Sequence, residues 1–275
     1  MNPAPSNPGP DRTGPDPPGA DYPGPDRAAP GRAAPAGARI RAQAAFEATT
    51  VLRNGEQLLV AIILPALAML GLDWASVPDL GAHRINVIVP GVLALAVVST
   101  AFTGQAIATA FDRRNGVLRL LGTTPLGRDG LLGAKMIAVV ATLAVNLIVL
   151  AVIGMTLGWR PRLGGLLPGL VTILLGAACF VALAMVVAGR LRAEAVLAVA
   201  NLLWVLFLGL GLLLPASTLP AAVARIATWL PSGALGEAMR VAFVDGGWPV
   251  GAWLVLLVWA GVAAVVATRI FRWSD

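Results

Sequence analysis

Ser232, His83, Cys179 and Lys135 are the side chains of this sequence best suited to nucleophilic, metal or phosphate chemistry. Ser232 sits in Leu-Pro-Ser-Gly and lacks the glycine two residues upstream that a nucleophile elbow requires. Its only candidate base is His83, the single histidine. His83 and Cys179, each the sole residue of its type, are far apart in sequence and form no metal-ligand constellation. Lys135, the only lysine, is preceded by Ala134 and followed by Met136, so the phosphate-cradling loop G-x-x-x-x-G-K-[ST] is missing. Asp73, Asp79, Glu194, Glu237 and Asp245 all fall at or beyond the ends of apolar segments, which leaves a proton relay without its mid-membrane carboxylate. No catalytic residue, cofactor site or metal site is assigned.

The chemistry that remains is recognition. Phe111–Lys135 is a short, basic, glycine-punctuated stretch between two long apolar segments. Asp112, Arg113 and Arg114 stand where the first of these segments ends. Val117, Leu118, Leu120 and Leu121 then offer an apolar face with Arg119 opposite. Gly122-Thr123-Thr124-Pro125 stops that short helix, because proline disfavours helical geometry in the residue before it. An apolar stripe with a charged rim suits docking into a cleft on a soluble partner. Lying flat at the membrane surface is the alternative.

The elements that hold this stretch follow from composition. Of 275 residues, 57% are apolar and 12% charged, and mean hydropathy is +0.80. Soluble proteins carry about 25% charge, so lipid is the solvent here. The net charge of +6 reflects membrane topology, since no basic face interleaved with aromatics is present for nucleic acid. Residues 1–38 are proline-rich, repeat Gly-Pro-Asp and are expected to form a disordered cytoplasmic tail, without the apolar core of a signal peptide. From Arg39 to Asn54, Ile40, Ala44, Ala48 and Val51 recur at helical spacing, as in an interfacial elbow helix.

Six apolar segments follow: Leu58–Leu72, Ile85–Ala110, Met136–Trp159, Leu166–Ala188, Ala195–Leu214 and Val250–Phe271. A crossing helix needs about 20 residues, so the first spans only with help from its flanks. The expected fold is therefore an all-α integral membrane protein with six transmembrane helices. With both termini inside, fifteen of the 20 basic residues lie on the inner face, as the positive-inside rule requires. Leu219–Leu230 and Gly233–Val244 are too short to span and are expected as outer re-entrant or interfacial helices. Glu237 and Arg240, at i,i+3, form either a local surface pair or an outer gate. Thr103, Gln105, Asn146 and Asn201 lie within spans, where they either bond across helices or line a pathway.

In order along the chain, Asp112-Arg113, Gly116, Leu118-Arg119-x-Leu121, Thr124-Pro125-Leu126, Arg128 and Gly133-x-Lys135 make a pattern. That pattern resembles the permease subunits of type-2 ABC transporters, the bacterial drug- and polysaccharide-exporting class. The likeness extends to Arg53-Asn54-Gly55-Glu56-Gln57 and to the broken outer helices ending in Leu230-Pro231 and Arg240. It covers about residues 39–272, which implies a transmembrane domain over 39–275 behind the tail. Family members often carry Glu where this chain has Asp112.

The resemblance implies a multi-pass protein of the bacterial plasma membrane and a pathway enclosed by two permease subunits, identical or paralogous. It further implies ATP hydrolysis by a separate ABC ATPase subunit. Residues Asp112 to Leu126, Arg114 included, match the family's coupling helix, which sits in the ATPase cleft. An ATP-independent secondary transporter or a structural membrane protein are the alternatives. The first predicts inverted repeats, which the sequence lacks, and the second leaves the patterned loop without a role.

Overall fold

The computed structural model describes residues 34–53, 55–75, 84–117 and 127–270, and the described residues contain helices and turns but no strand. The proline-rich tail, His83 and residues 118–126 lie outside the described residues. So do most of the expected coupling-helix positions: Leu118, Arg119, Leu121, Gly122, Thr124, Pro125 and Leu126.

Nine helices are described. They are α1 (Ala36–Arg53), α2 (Gly55–Trp74), α3 (Arg84–Arg114), α4 (Gly127–Thr156), α5 (Leu166–Ala188), α6 (Ala193–Phe207), α7 (Ala221–Ala227), α8 (Pro231–Arg240) and α9 (Val250–Ile270). Five segments are long and apolar enough to cross a membrane: α3, most of α4, α5 with its leading turn, α6 with its trailing turn, and α9. In α2 the apolar stretch is shorter, Ala61–Trp74.

The apolar pattern decides which helix goes where. In α3 every residue from Ile88 to Val98 is apolar or proline and all of them are buried. A helix that is hydrophobic on every side belongs inside a bundle. Accordingly α2, α4, α5 and α8 pack around α3, and 72% of its most apolar stretch is buried, against 17% for α9. The bare face of α9 presents Leu254, Leu257, Val258, Val262 and Val265 to the exterior, as lipid contact requires. The expected elbow region folds as α1 and packs along α4 through Ile40, Ala44, Ala48 and Val51, of which Ala44 is fully buried.

Irregularities in two helices matter for function. In α3, Ser99–Gly104 is a π turn, a local widening often found at functional sites. Phe102 leaves this turn to meet Phe180 and Phe207 edge-on, at centroid distances of 6.3 and 5.5 Å. The sequence predicts that the fifth span runs unbroken to Leu214. Instead the helix kinks within Leu208–Leu212, where Leu210 leaves helical geometry and Gly211 takes φ +80°. Only glycine enters that left-handed region without strain.

Candidate functional site

Asp112, Arg113 and Arg114, consecutive at the C-terminal end of α3, each engage a different element. Asp112 Oδ2 accepts a 2.9 Å bond from Lys135 Nζ on α4. Lys135 also lies 3.5 Å from Glu47 Oε2 on α1, and its side chain is only 7% exposed. Gln43, one turn before Glu47, donates to the other carboxylate oxygen at 3.0 Å. Lys135 thus joins α1, α3 and α4 in a cluster largely shielded from solvent. Ile40 on α1 lies over Gly133, two positions ahead of Lys135, at 3.9 Å from where a Cβ would stand.

Arg113 turns the other way. Its guanidinium is buried and donates Nη1 to the Ala188 carbonyl and Nη2 to the Leu191 carbonyl. These carbonyls stand at the last turn of α5 and in the connection to α6, where a cation is favoured by the helix dipole and satisfies groups without helical partners. Arg114 Nη1 donates to Glu194 Oε1 in the first turn of α6, a pair open to solvent. Just beyond, α3 ends with Gly116 at φ +72° and its N–H bonded to the Arg113 carbonyl. That is a left-handed helix stop of the kind glycine favours. The expected site residues from Asp112 to Gly116 therefore anchor inside the chain, immediately before the undescribed 118–126.

The polar residues of the spans separate into two groups. Asn146 Nδ2 donates to Thr100 Oγ1 at 3.2 Å, and Trp204 Nε1 donates to Ser99 Oγ at 2.8 Å. Both bonds therefore tie neighbouring helices to the π turn. Gln105, Thr103 and Asn146 keep side-chain oxygens without a hydrogen-bond partner among the described residues. Asn201 stands apart. It is exposed on α6 and bonds only its own helix, Nδ2 to the Leu197 carbonyl at 2.9 Å.

At the opposite end of the bundle Glu237 and Arg240 make the local i,i+3 pair, with the Glu237 side chain 55% exposed. Arg240 is buried, 6% exposed. Its Nη2 donates to the Gly211 carbonyl at 3.0 Å and Nη1 to the Leu212 carbonyl at 3.4 Å, while Nε lies 3.4 Å from Glu237 Oε2. Ser232 Oγ donates to the Leu210 carbonyl at 3.3 Å. Helix α8 thus supplies donors to three consecutive carbonyls released by the kink in α6. Ser232 is a structural donor there, consistent with the absence of a nucleophile motif. Burial pushes the Arg240 guanidinium below its usual pKa, and the Glu237 carboxylate pushes it back up. Beside this pair, Gly211, Asp245 and Val255 help to line a cavity of about 520 Å³.

Sequence reasoning missed Glu47, Glu194, Ser99 and Trp204 as partners. A signal existed for the first. A lysine at the mouth of an apolar helix needs a counter-ion, and Glu47 is the only carboxylate between Arg39 and Asn54. Nothing in the local pattern pairs Ser99 with Trp204.

Residues 57–270 match the family model described as ABC-2 family transporter protein. No curated protein matches the chain.

Proposed function

The chain belongs to the ABC-2 transporter family, and from that premise we propose that this permease is the membrane-spanning half of an ATP-driven exporter. In this reading it lies in a bacterial plasma membrane with both termini inside, and α2 completes a set of six spans. A second permease copy or paralogue shares the pathway, and an ABC ATPase from another chain docks on 118–126. The exposed Asn201 supports the shared pathway, because a polar side chain turned toward lipid is disfavoured.

The observation that carries the reading is the anchorage of Asp112, Arg113 and Arg114 to α4, α5 and α6. Nucleotide binding moves a permease only if the two conformations differ in free energy with the ATPase attached. A segment pressed at 118–126 has direct charged links to three spans and, through Lys135, to α1. Closure of the ATPase pair then shifts those helices together, where a loosely tethered loop would absorb the movement.

The test is co-purification with an ABC ATPase subunit, followed by nucleotide hydrolysis and transport in liposomes. Deleting Gly116–Pro125 is expected to abolish association. Arg119→Ala should uncouple hydrolysis from transport. Undiminished association after the deletion would reject the reading, as would labelling that places residues 118–126 outside the cell.

A further inference from the structure

Between α1, α2, α3 and α4 lies a cavity of about 280 Å³ whose polar lining has one chemical character. Glu47 is the charged residue among those lining it, accompanied by Thr142 and by the π-turn residues Ser99 and Thr100. Thr50, Gln105 and Asn146 complete the polar wall, and the amide oxygens of Gln105 and Asn146 have no donor among the described residues. Asn146 is 1% exposed. Because its Nδ2 is committed to Thr100, the oxygen is the end left unpaired. Buried polar atoms are paired as a rule, and leaving one unpaired in an apolar bundle is costly. The remaining wall is apolar, formed by Val51, Ala61, Ala108, Ala138 and Val139.

We infer that this cavity binds a lipophilic primary amine. An ammonium group has three donors and no acceptor, which matches two amide oxygens in want of donors beside a carboxylate that already accepts from Gln43 and pairs with Lys135. Its apolar body rests on Val51, Ala61 and Val139. An anion meets the Glu47 carboxylate and finds no charged donor on the wall. Glu47 also pairs with Lys135, so an ammonium here shares that carboxylate while Lys135 keeps Asp112. The binding claim stands on the cavity alone. That such an amine is exported rests on the transporter reading.

The test uses the full chain in phosphatidylcholine nanodiscs, without ATPase or nucleotide, and isothermal titration with three probes that share a ring. Tryptamine is expected to bind at least about tenfold more tightly than its alcohol analogue tryptophol, the difference a charge-assisted bond makes. Indole-3-acetate should show no saturable binding. Asn146→Leu and Glu47→Gln should each weaken tryptamine by about tenfold. Ala108→Phe, at an exposed helix position that lines the cavity, should fill it and abolish binding. If Glu47→Gln does not fold, Ala108→Phe still decides.

Equal affinities for tryptamine and tryptophol, or unchanged binding in Ala108→Phe, would overturn the inference and leave a cavity for water only. Repeating the titration with phosphatidylethanolamine present separates two sources of the same group. Competition assigns the site to a lipid headgroup, and unchanged binding assigns it to a free amine. Failure here removes the site and leaves the export reading standing. The co-purification test, in turn, can fail with tryptamine binding intact.

Discussion

The two ends of this bundle are held by different physics. At the end that the proposed orientation makes the inner one, long charged side chains reach across helix boundaries: Lys135 to Asp112 and Glu47, Arg113 to two carbonyls, Arg114 to Glu194. At the other, the outer one in that orientation, backbone meets backbone. A Cβ added at Gly91 would strike the Leu213 carbonyl, one at Gly165 that of Ala242, and one at Gly233 that of Ala227. Side-chain links can exchange partners as helices shift, whereas backbone contacts through glycine have no slack. The contrast leaves slack at the charged end and none where α8 meets α7 through Gly233 and Ala227.

The largest effect expected of that contrast is at Lys135. Replacing it with methionine leaves two carboxylates facing each other with their counter-ion gone, and removing one partner of a buried pair costs about 3–5 kcal/mol. Thermal unfolding in detergent should show this as a marked loss for Lys135→Met. Adding Asp112→Asn and Glu47→Gln should restore most of it, because a neutral, packed replacement of a buried ionic cluster is often no less stable. A triple variant as unstable as the single one would mean that Lys135 acts by packing rather than charge.

Gly233→Ala comes next. The new methyl would lie within clashing distance of the Ala227 carbonyl, which the backbone must yield to relieve. Forced overpacking of this kind costs about 1–3 kcal/mol, and no charge change elsewhere should rescue it. Gly261→Ala on α9 is the control, since nothing lies within 4 Å of the added group. It should be neutral or stabilising by roughly 0.4–1 kcal/mol. If the two substitutions behave alike, the outer end is not backbone-locked.

How far these ends were legible from sequence follows the same division. Hydropathy located five of the six expected spans as long apolar helices among the described residues, because burial in lipid depends on composition along the chain: Leu166–Ala188 is the same in sequence and structure. The inner motif was legible as residue types, but its partners were not. Arginine and lysine are long enough to reach several neighbours, and only the packed helices select which. The π turn at Ser99–Gly104 and the kink at Leu210–Gly211 were invisible for another reason. Their hydrogen bonds are made by Trp204, Ser232 and Arg240, which lie far away in sequence or on another helix.

Ser232→Ala tests the outer capping and is expected to have a smaller effect than Gly233→Ala. It removes the hydroxyl that donates to the Leu210 carbonyl while creating no clash. A lost hydrogen bond is worth about 1 kcal/mol, and the partly buried carbonyl keeps some freedom to find water. The change should lower thermal stability modestly and leave any hydrolytic assay unaffected, since this serine acts as a donor to backbone. A loss as large as that of Gly233→Ala would show that the kinked carbonyls, rather than the glycine contact, lock α8.

The smallest stability effect belongs to Arg114 and Glu194, and it sharpens the comparison most. Both side chains are more than half exposed, at 52% and 67%, and such pairs contribute about 0.2–1 kcal/mol and weaken with salt. Arg114→Glu should therefore barely move the melting temperature. If the inner end transmits force, the same substitution should sharply reduce nucleotide-driven transport, because α3 then repels α6 where it was linked to it. Glu194→Arg in the same chain restores the attraction with its sign exchanged, and transport should recover in liposomes at low salt. A pair dispensable for folding but required for coupling would separate the two roles of the inner charges. Recovery of neither transport nor salt sensitivity in the double variant would place the link between α3 and α6 on Arg113 alone.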